Sequence, residues 1–258
     1  MRLKPKKVRD VLAFETFWSN RTFLLSRAKF PVIAERIAAL CRDSDQTPKV
    51  LDAGIGRCRV QRLFGKRYPE LRVEWHGVDL LEFRLKIYED VPDIRRVRAS
   101  VDALPYASET FDAVVSSWVF QHLDDPEACL REHARVLKPG GTLILAIPNS
   151  PQPLKRIQEV AHPWWTAHER RRGRKYAYNP QIQFYDRGRV RRLFRAADLE
   201  PVRWQGIGFV TGGPLSFLEN YEWYYRSNLW LGARVPQWTQ QLIGIAEKCP
   251  TEERPSLD

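Results

Sequence analysis

The chain has 258 residues, 43% of them hydrophobic, 12% aromatic and 28% charged, which excludes a peptide-sized binding module, a disordered tail, a collagen-like fibre and a coiled coil. Its formal net charge of +11 favours an anionic partner, and Cys41, Cys58, Cys129 and Cys249 form no Cys-x-x-Cys pair, so a disulfide framework and a zinc knuckle are excluded and a reducing, cytoplasmic compartment is expected. No run of about 18 apolar residues is present, so no membrane span is expected, and Asp10 and Glu15 interrupt the start before an export signal can form.

In chain order, an aromatic stretch with Phe14, Phe17, Trp18, Phe23 and Phe30 leads into an amphipathic helix from Pro31 to Leu40, and residues 1–48 read as an N-terminal helical flank. Short β-rich runs follow at Lys49 to Asp52, Val73 to Val78, Arg95 to Ala99, Phe111 to Ser117 and Thr142 to Ile147, separated by helical patterns. The best-marked helix starts with Asp125 as cap and Pro126 in the first turn, places Leu130, Ala134 and Leu137 on one face, and stops at Lys138-Pro139-Gly140-Gly141. From Pro148 to Pro180 the periodicity fails and an insertion is predicted, set at 151–185 within a domain running from 49 to 258. A helix from Asp186 to Ala197, an extended run from Pro201 to Val210 and a last strand from Gln240 to Glu247 complete an α/β pattern. It implies a doubly wound, mostly parallel, seven-stranded sheet.

The charge is uneven: between Lys155 and Arg195 twelve Lys and Arg face three Asp and Glu, +9 of the chain's +11. Such a segment suits a phosphate, a carboxylate, a membrane headgroup or RNA, and equally well a solvated face of a basic protein.

Val50-Leu51-Asp52-Ala53-Gly54-Ile55-Gly56-Arg57-Cys58 is an apolar strand running into a glycine turn and then a helix beginning near Arg59. Glycines at a strand's carboxyl end let the backbone approach a ligand, and the following helix presents free N–H groups there. Asp79, 25 residues after Gly54 and at the end of the second strand, can take both hydroxyls of a ribose. The structural alternative is that Asp52 and Asp79 only cap turns.

With Leu51 to Gly56, His76 to Leu80, Ser100 to Tyr106 leading to Phe111-Asp112, and Arg135 to Gly141, the chain resembles a class I S-adenosylmethionine-dependent methyltransferase of the type 11 subgroup, which includes enzymes of ubiquinone and menaquinone biosynthesis. The resemblance covers roughly residues 49–149 and implies a Rossmann-like fold and S-adenosylmethionine as cofactor. It implies that Asp52, Gly54 and Gly56 line the methionine end, that Asp79 followed by Leu80 holds the ribose, that Ser100, Val101 and Asp102 meet the adenine edge, and that Ser117 approaches the methionine part. Ser100 stands where the family usually has Asp or Asn, and Cys58 where a third glycine often stands. Cys58 reads as a small packed side chain and not as a nucleophile.

His122 follows the fourth strand and is the candidate general base for an attacking hydroxyl, with shaping of the pocket as its alternative role. No Asn/Asp-Pro-Pro-aromatic motif follows that strand, where Ser116-Ser117-Trp118-Val119 stands instead, so methylation of DNA adenine or a glutamine amide is disfavoured. In the family the segment after the fifth strand forms a substrate lid, which here holds Trp164, Trp165, Tyr176 and Tyr178 among arginines. Trp204, Phe209, Phe217, Tyr221, Trp223, Tyr224, Tyr225, Trp230 and Trp238 add aromatic density further on. The expectation is methylation on oxygen, with carbon or nitrogen as alternatives, of a small, apolar or ring-containing acceptor with an acidic group, the basic lid holding that group or an anionic membrane surface. An RNA methyltransferase and a non-catalytic protein that binds the cofactor and docks a partner are the alternatives. No metal is expected.

Overall fold

β4 (Phe111–Ser117) is the middle strand of a seven-stranded sheet whose order is β3-β2-β1-β4-β5-β7-β6. In the computed structural model, which describes residues 28–82, 85, 93–149, 185–209, 218 and 221–250, the other strands are β1 (Lys49–Ala53), β2 (Glu74–Asp79), β3 (Ile94–Arg98), β5 (Leu137–Pro148), β6 (Leu199–Ile207) and β7 (Gln241–Lys248). β7 alone runs against its neighbours β5 and β6. The described helices are α1 (Lys29–Arg42), α2 (Arg59–Arg67), α3 (Pro126–Val136), α4 (Arg187–Ala196) and α5 (Glu222–Arg234).

Strand pleating divides the core into two layers. Leu51, Val114, Leu143 and Leu145 pack with Leu130 of α3 and Phe194 of α4, whereas Val50, Val115, Ile144 and Ala146 pack with Ile33 and Ile37 of α1 and Phe64 of α2. Successive side chains of a strand point to opposite faces, so strands buried on both sides read as continuous apolar runs, as these do. The described part of the N-terminal flank is thus built into the same core as β1.

The resembling blocks beyond the glycine turn hold the scaffold together. Asp112 accepts from the Lys49 amide (2.8 Å) and from Lys138 Nζ (2.7 Å), joining β4 to the starts of β1 and β5. Glu132 accepts from the Leu104 amide (2.9 Å) and from Arg135 Nε (2.8 Å), and Arg135 donates to the carbonyls of Tyr106 (2.8 Å) and Leu104 (3.1 Å). The loop after β3 is therefore clamped onto α3.

Two expectations need correction. Leu137 is not on the helix face: α3 ends at Val136, and Leu137 is extended (φ −72°, ψ 137°) and already pairs with Phe111. Asp125 does cap α3, accepting from the Ala128 amide (2.9 Å). Gly140, at φ +73°, makes an irregularity inside β5 and not the exit from the helix. Second, α5 has no counterpart in the predicted elements. Its buried stripe is Tyr224, Asn228 and Gly232, which lacks the aliphatic period that marks a helix in sequence. It sits so close to β6 that a Cβ on Gly232 would lie 2.0 Å from the Gly206 carbonyl oxygen. Trp223 and Trp230 point away, each 55% exposed. The predicted insertion, 151–185, lies outside the described residues except for Tyr185.

The close approach of α5 and β6 gives a paired expectation. Gly232→Ala should destabilise the protein by ~1–3 kcal/mol through overpacking against backbone that has no soft end to move. Gly65→Ala, in an exposed helical position with nothing within 4 Å of the added carbon, should stabilise it by ~0.5–1 kcal/mol. Urea unfolding of the two variants beside the parent measures both.

Candidate functional site

The strand register brings four carboxyl ends side by side: Asp79 stands opposite Arg98, Ala53 opposite Val78, and Asp52 opposite both Gly77 and Val115. Above this edge the chain turns through Gly54 (φ +92°) and Gly56 (φ +51°), and the Gly54 and Ile55 amides both donate to the Val78 carbonyl (2.8 and 2.9 Å). The turn is walled on one side by the segment after β4, since a Cβ on Gly54 would lie 2.1 Å from Val119 Cγ2. On the other, Ile55 fills the space over Gly77, where a Cβ would lie 2.2 Å from its Cδ1. Cys58, the residue before α2, has φ 51° and ψ 37°, the left-handed geometry for which glycine is favoured. Burial pushes its thiol up to about 11, so it stays protonated and unreactive.

Asp79, 5% exposed, accepts the Gly56 amide on Oδ2 (3.1 Å) and the Leu81 amide on Oδ1 (3.0 Å). The two backbone bonds fix the orientation of the carboxylate. Asp52 is equally buried, and its Oδ2 accepts from Gln61 Nε2 of α2 (2.8 Å). Desolvation raises the Asp52 carboxyl from 3.8 to about 6, the Gln61 bond opposes this, and the nearby charge of Asp79 adds to it.

The remaining expected residues fall around this edge. Leu80 is exposed directly after Asp79. Ser100 bridges to Ala103 just beyond β3 and its hydroxyl donates to Asp102 Oδ1, so Asp102 and Ser100 act as one polar unit, while the Val101 side chain is turned into the core. Ser117 ends β4 with a buried Oγ that has no partner among the described residues. His122 is exposed in the short Phe120–His122 helix, its Nε2 3.2 Å from Gln121 Nε2, and that amide also donates to the Trp118 carbonyl (2.8 Å). Sequence reasoning missed Gln61, Val119, Trp118, Lys29 and Gln241, which meet the site only through the fold. The signal for Gln61 was a polar residue between Val60 and Leu63 on a buried helix face. Of the aromatic set expected near an acceptor, Trp204 stacks on Phe194 (5.9 Å), Tyr224 is buried on the inner face of α5, and Trp223, Trp230 and Trp238 face outward.

The family model described as a methyltransferase domain matches residues 51–145. Residues 51–145 of the chain are thus similar to a methyltransferase domain. Among curated relatives, it is 32% identical over 114 residues to a malonyl-[acyl-carrier protein] O-methyltransferase of Hahella chejuensis, covering 43% of this chain and 40% of that one. It is 34% identical over 102 residues to a ubiquinone/menaquinone biosynthesis C-methyltransferase UbiE of Syntrophotalea carbinolica, covering 38% and 42%. The chain thus spans about two-fifths of the length of these relatives. Similar solved structures share the fold: a SAM-dependent methyltransferase of Thermotoga maritima (TM-score 0.57, 18% identity, 93% of this chain and 96% of that) and 1,6-didemethyltoxoflavin-N1-methyltransferase of Burkholderia thailandensis (TM-score 0.55, 19%, 94% and 85%).

The methyltransferase domain's own residues fit S-adenosylmethionine. The backbone at Gly56 is open, an added Cβ meeting only the Gly54 carbonyl oxygen at 3.8 Å, the fixed Asp79 carboxylate suits vicinal hydroxyls, and the buried Ser117 Oγ, without a partner among the described residues, suits a polar ligand atom.

Asp52 has a pH signature. Its folded-state pKa is raised, so the neutral form favours folding: that contribution is complete below the unfolded value of 3.8 and is lost as pH rises through about 6. Asp52→Asn should therefore raise stability by up to ~3 kcal/mol at pH 8, with the gain shrinking between about pH 6 and 4 and absent below. Denaturant unfolding across that range measures it, and an equal gain at pH 3.5 and pH 8 would refute the buried, strained carboxyl.

Proposed function

We propose that the protein transfers the methyl group of S-adenosylmethionine to a small, apolar or ring-containing acceptor that bears an acidic group, with oxygen as the attacking atom. The observation that carries this reading is the Asp79 carboxylate, pinned by the Gly56 and Leu81 amides at the mouth of the glycine turn in a methyltransferase domain. When bound, the cofactor supplies an electrophilic methyl group on a sulfonium. Asp79 accepts the ribose hydroxyls, with Leu80 beside it. The Ser100–Asp102 unit and the Val101 backbone take the adenine edge. Gly54 and Gly56 admit the methionine arm, where Asp52 provides negative charge for its ammonium and Ser117 a hydroxyl.

Displacement at a methyl group needs alignment above all, and positioning can supply ~7–11 kcal/mol of the barrier. His122 stands after β4 at the carboxyl edge and accepts the proton of an acceptor hydroxyl. An acceptor that is already a carboxylate needs no base. The O-methylation reading is supported by resemblance to a relative named as an O-methyltransferase, and a second reading, attack by a ring carbon, by resemblance to one named as a C-methyltransferase. The basic segment between Lys155 and Arg195 holds the acceptor's acidic group or an anionic membrane surface in this reading. Its described part is α4, whose Arg189 lies over the Tyr185 ring (4.6 Å) and whose Arg187 lies over Trp204 (5.5 Å).

Calorimetry should show S-adenosylhomocysteine binding at micromolar Kd or better, and Asp79→Ala should weaken it by ~1.5–3 kcal/mol. Unchanged binding in that variant removes the ribose assignment, and binding of NAD in its place removes the proposed function. For a hydroxyl acceptor, His122→Ala should lower kcat by ~10²–10⁴ at unchanged cofactor affinity, and retained turnover would move the proton acceptor elsewhere. Products labelled from methyl-labelled cofactor, read by mass spectrometry, distinguish oxygen from carbon.

A further inference from the structure

α5 carries its apolar bulk on the outside. Asn228 and Gly232 are among the residues it turns inward, whereas Trp223 and Trp230 project outward, each 55% exposed. Seven residues separate the two indoles, about two turns, so they lie on one stripe of the helix, and Arg226 and Arg234 fall on the same stripe. The Arg234 guanidinium lies 3.7 Å from the Trp230 ring centroid and donates to the Trp230 carbonyl (3.5 Å). A guanidinium stacked on a ring keeps its N–H fork in its own plane, available to an anion. Glu222, the one acid of α5, is taken by Arg226 (2.7 Å), and no carboxylate pairs with Arg234 among the described residues. Trp238, 51% exposed, follows in the Pro236–Trp238 turn.

The direction of the helix leads this face toward the site. Gln205 of β6 donates to the Leu229 carbonyl (3.1 Å) and Gly206 meets Gly232, so α5 runs alongside β6 in the same sense. β6 ends at Ile207 opposite Gln241, and the chain passes from α5 to β7 through the Pro236–Trp238 turn. Asn149, just beyond β5, holds that turn, its Nδ2 donating to the carbonyls of Pro236, Gln237 and Thr239 (3.1, 3.1 and 2.8 Å). The turn therefore stands at the carboxyl edge of the sheet, where Leu80, Leu81 and Trp118 also stay exposed. Of the seven large apolar side chains exposed among the described residues, only Val202 lies outside α5, its turn and this edge, so the exposed apolar surface is gathered and not scattered. α4, with the other described arginines of the basic segment, covers the opposite face of the sheet.

The net charge decides between occupants of this face. Two copies at +11 each repel one another, and an arginine stripe set against its own copy adds to the repulsion, whereas an anionic bilayer attracts both the chain and the stripe. Indoles settle at the bilayer interface with the ring toward the acyl region and the N–H toward water, and arginine takes phosphates there. We propose that the outward face of α5, Trp223 and Trp230 with Arg234, docks the protein on an anionic lipid surface, with Trp238 between that face and the site. The docking stands on the exposed face alone. Its use, bringing a lipid-borne apolar acceptor to the carboxyl edge, rests on the methyltransferase reading.

Vesicle co-sedimentation reads the docking, with phosphatidylcholine vesicles beside vesicles that contain about one-third phosphatidylglycerol. The proteins compared are wild type, Trp223→Ala/Trp230→Ala, Arg234→Gln and Arg191→Gln, the last removing the same charge from α4. All four side chains are exposed, so folding should survive, and melting temperatures check it. Wild type should bind the anionic vesicles and prefer them to phosphatidylcholine alone. The double tryptophan variant should bind them about tenfold more weakly or worse, Arg234→Gln about fivefold more weakly, and Arg191→Gln within about twofold of wild type. A wild type that ignores anionic vesicles, or binds both kinds equally, overturns the proposal, as does a loss in Arg191→Gln as large as in Arg234→Gln. Sedimentation velocity supplies the remaining outcome: a dimer abolished by the double tryptophan variant, without vesicle binding, makes the occupant a second copy and overturns the lipid surface. Calorimetry with S-adenosylhomocysteine, run without vesicles, is separate. A wild type that fails to bind it overturns the methyltransferase reading and leaves the docking face standing.

Discussion

The missing side chain at position 54 is the constraint on which the site depends. Val119 occupies the space into which a Cβ would project, and the backbone there has a positive φ that a larger residue would resist. Because Gly54 itself puts no side chain there, Val119 of the segment after β4 can pack against the turn after β1. The same backbone path brings the Gly56 amide to Asp79. A side chain at 54 would push the two segments apart, and with them the carboxylates, the Ser117 hydroxyl and the Trp118 ring.

Asp52 and Asp79 illustrate how a binding edge costs stability. Two acids are held close in a buried place, where desolvation and the charge of Asp79 make Asp52 harder to ionise, and Gln61 offsets only part of this. A core optimised for folding alone would put apolar or amide side chains there. In the proposed function a ligand with a cationic amino group and vicinal hydroxyls would add favourable contacts to these carboxyls on binding.

The scaffold residues work differently. Asp112, Glu132 and Arg135 hold backbone amides and carbonyls of loops that a sheet and helices by themselves would leave loose. They fix the loop after β3, and with it the Ser100–Asp102 unit, at a set height above the sheet. Precision at the ligand edge is thus partly made from ion pairs some distance below it. These pairs couple to backbone groups, which gives them a value that an exposed side-chain pair does not have.

Local sequence determined much of this protein. The strands β1, β4 and β5 were legible as apolar runs because both faces of the sheet are covered, and Asp125-Pro126 marked the start of α3 because capping is a contact between neighbours in the chain. The glycine turn and Asp79 were legible for the same reason: each is a short-range pattern at a strand end. The tertiary structure alone decided the rest. Leu137 was assigned to a helix because its spacing fits one, whereas its pairing with Phe111 is a contact between strands. The α5 helix was illegible because its inner face is made by Gly232 meeting Gly206, a close approach that leaves no apolar period to read. Lys29, Trp118 and Gln241 are far apart in sequence and meet only because the start of α1, the end of β4 and the start of β7 lie at one edge. Periodicity records what a residue does to its neighbours along the chain, and the groups that meet a ligand are assembled across it.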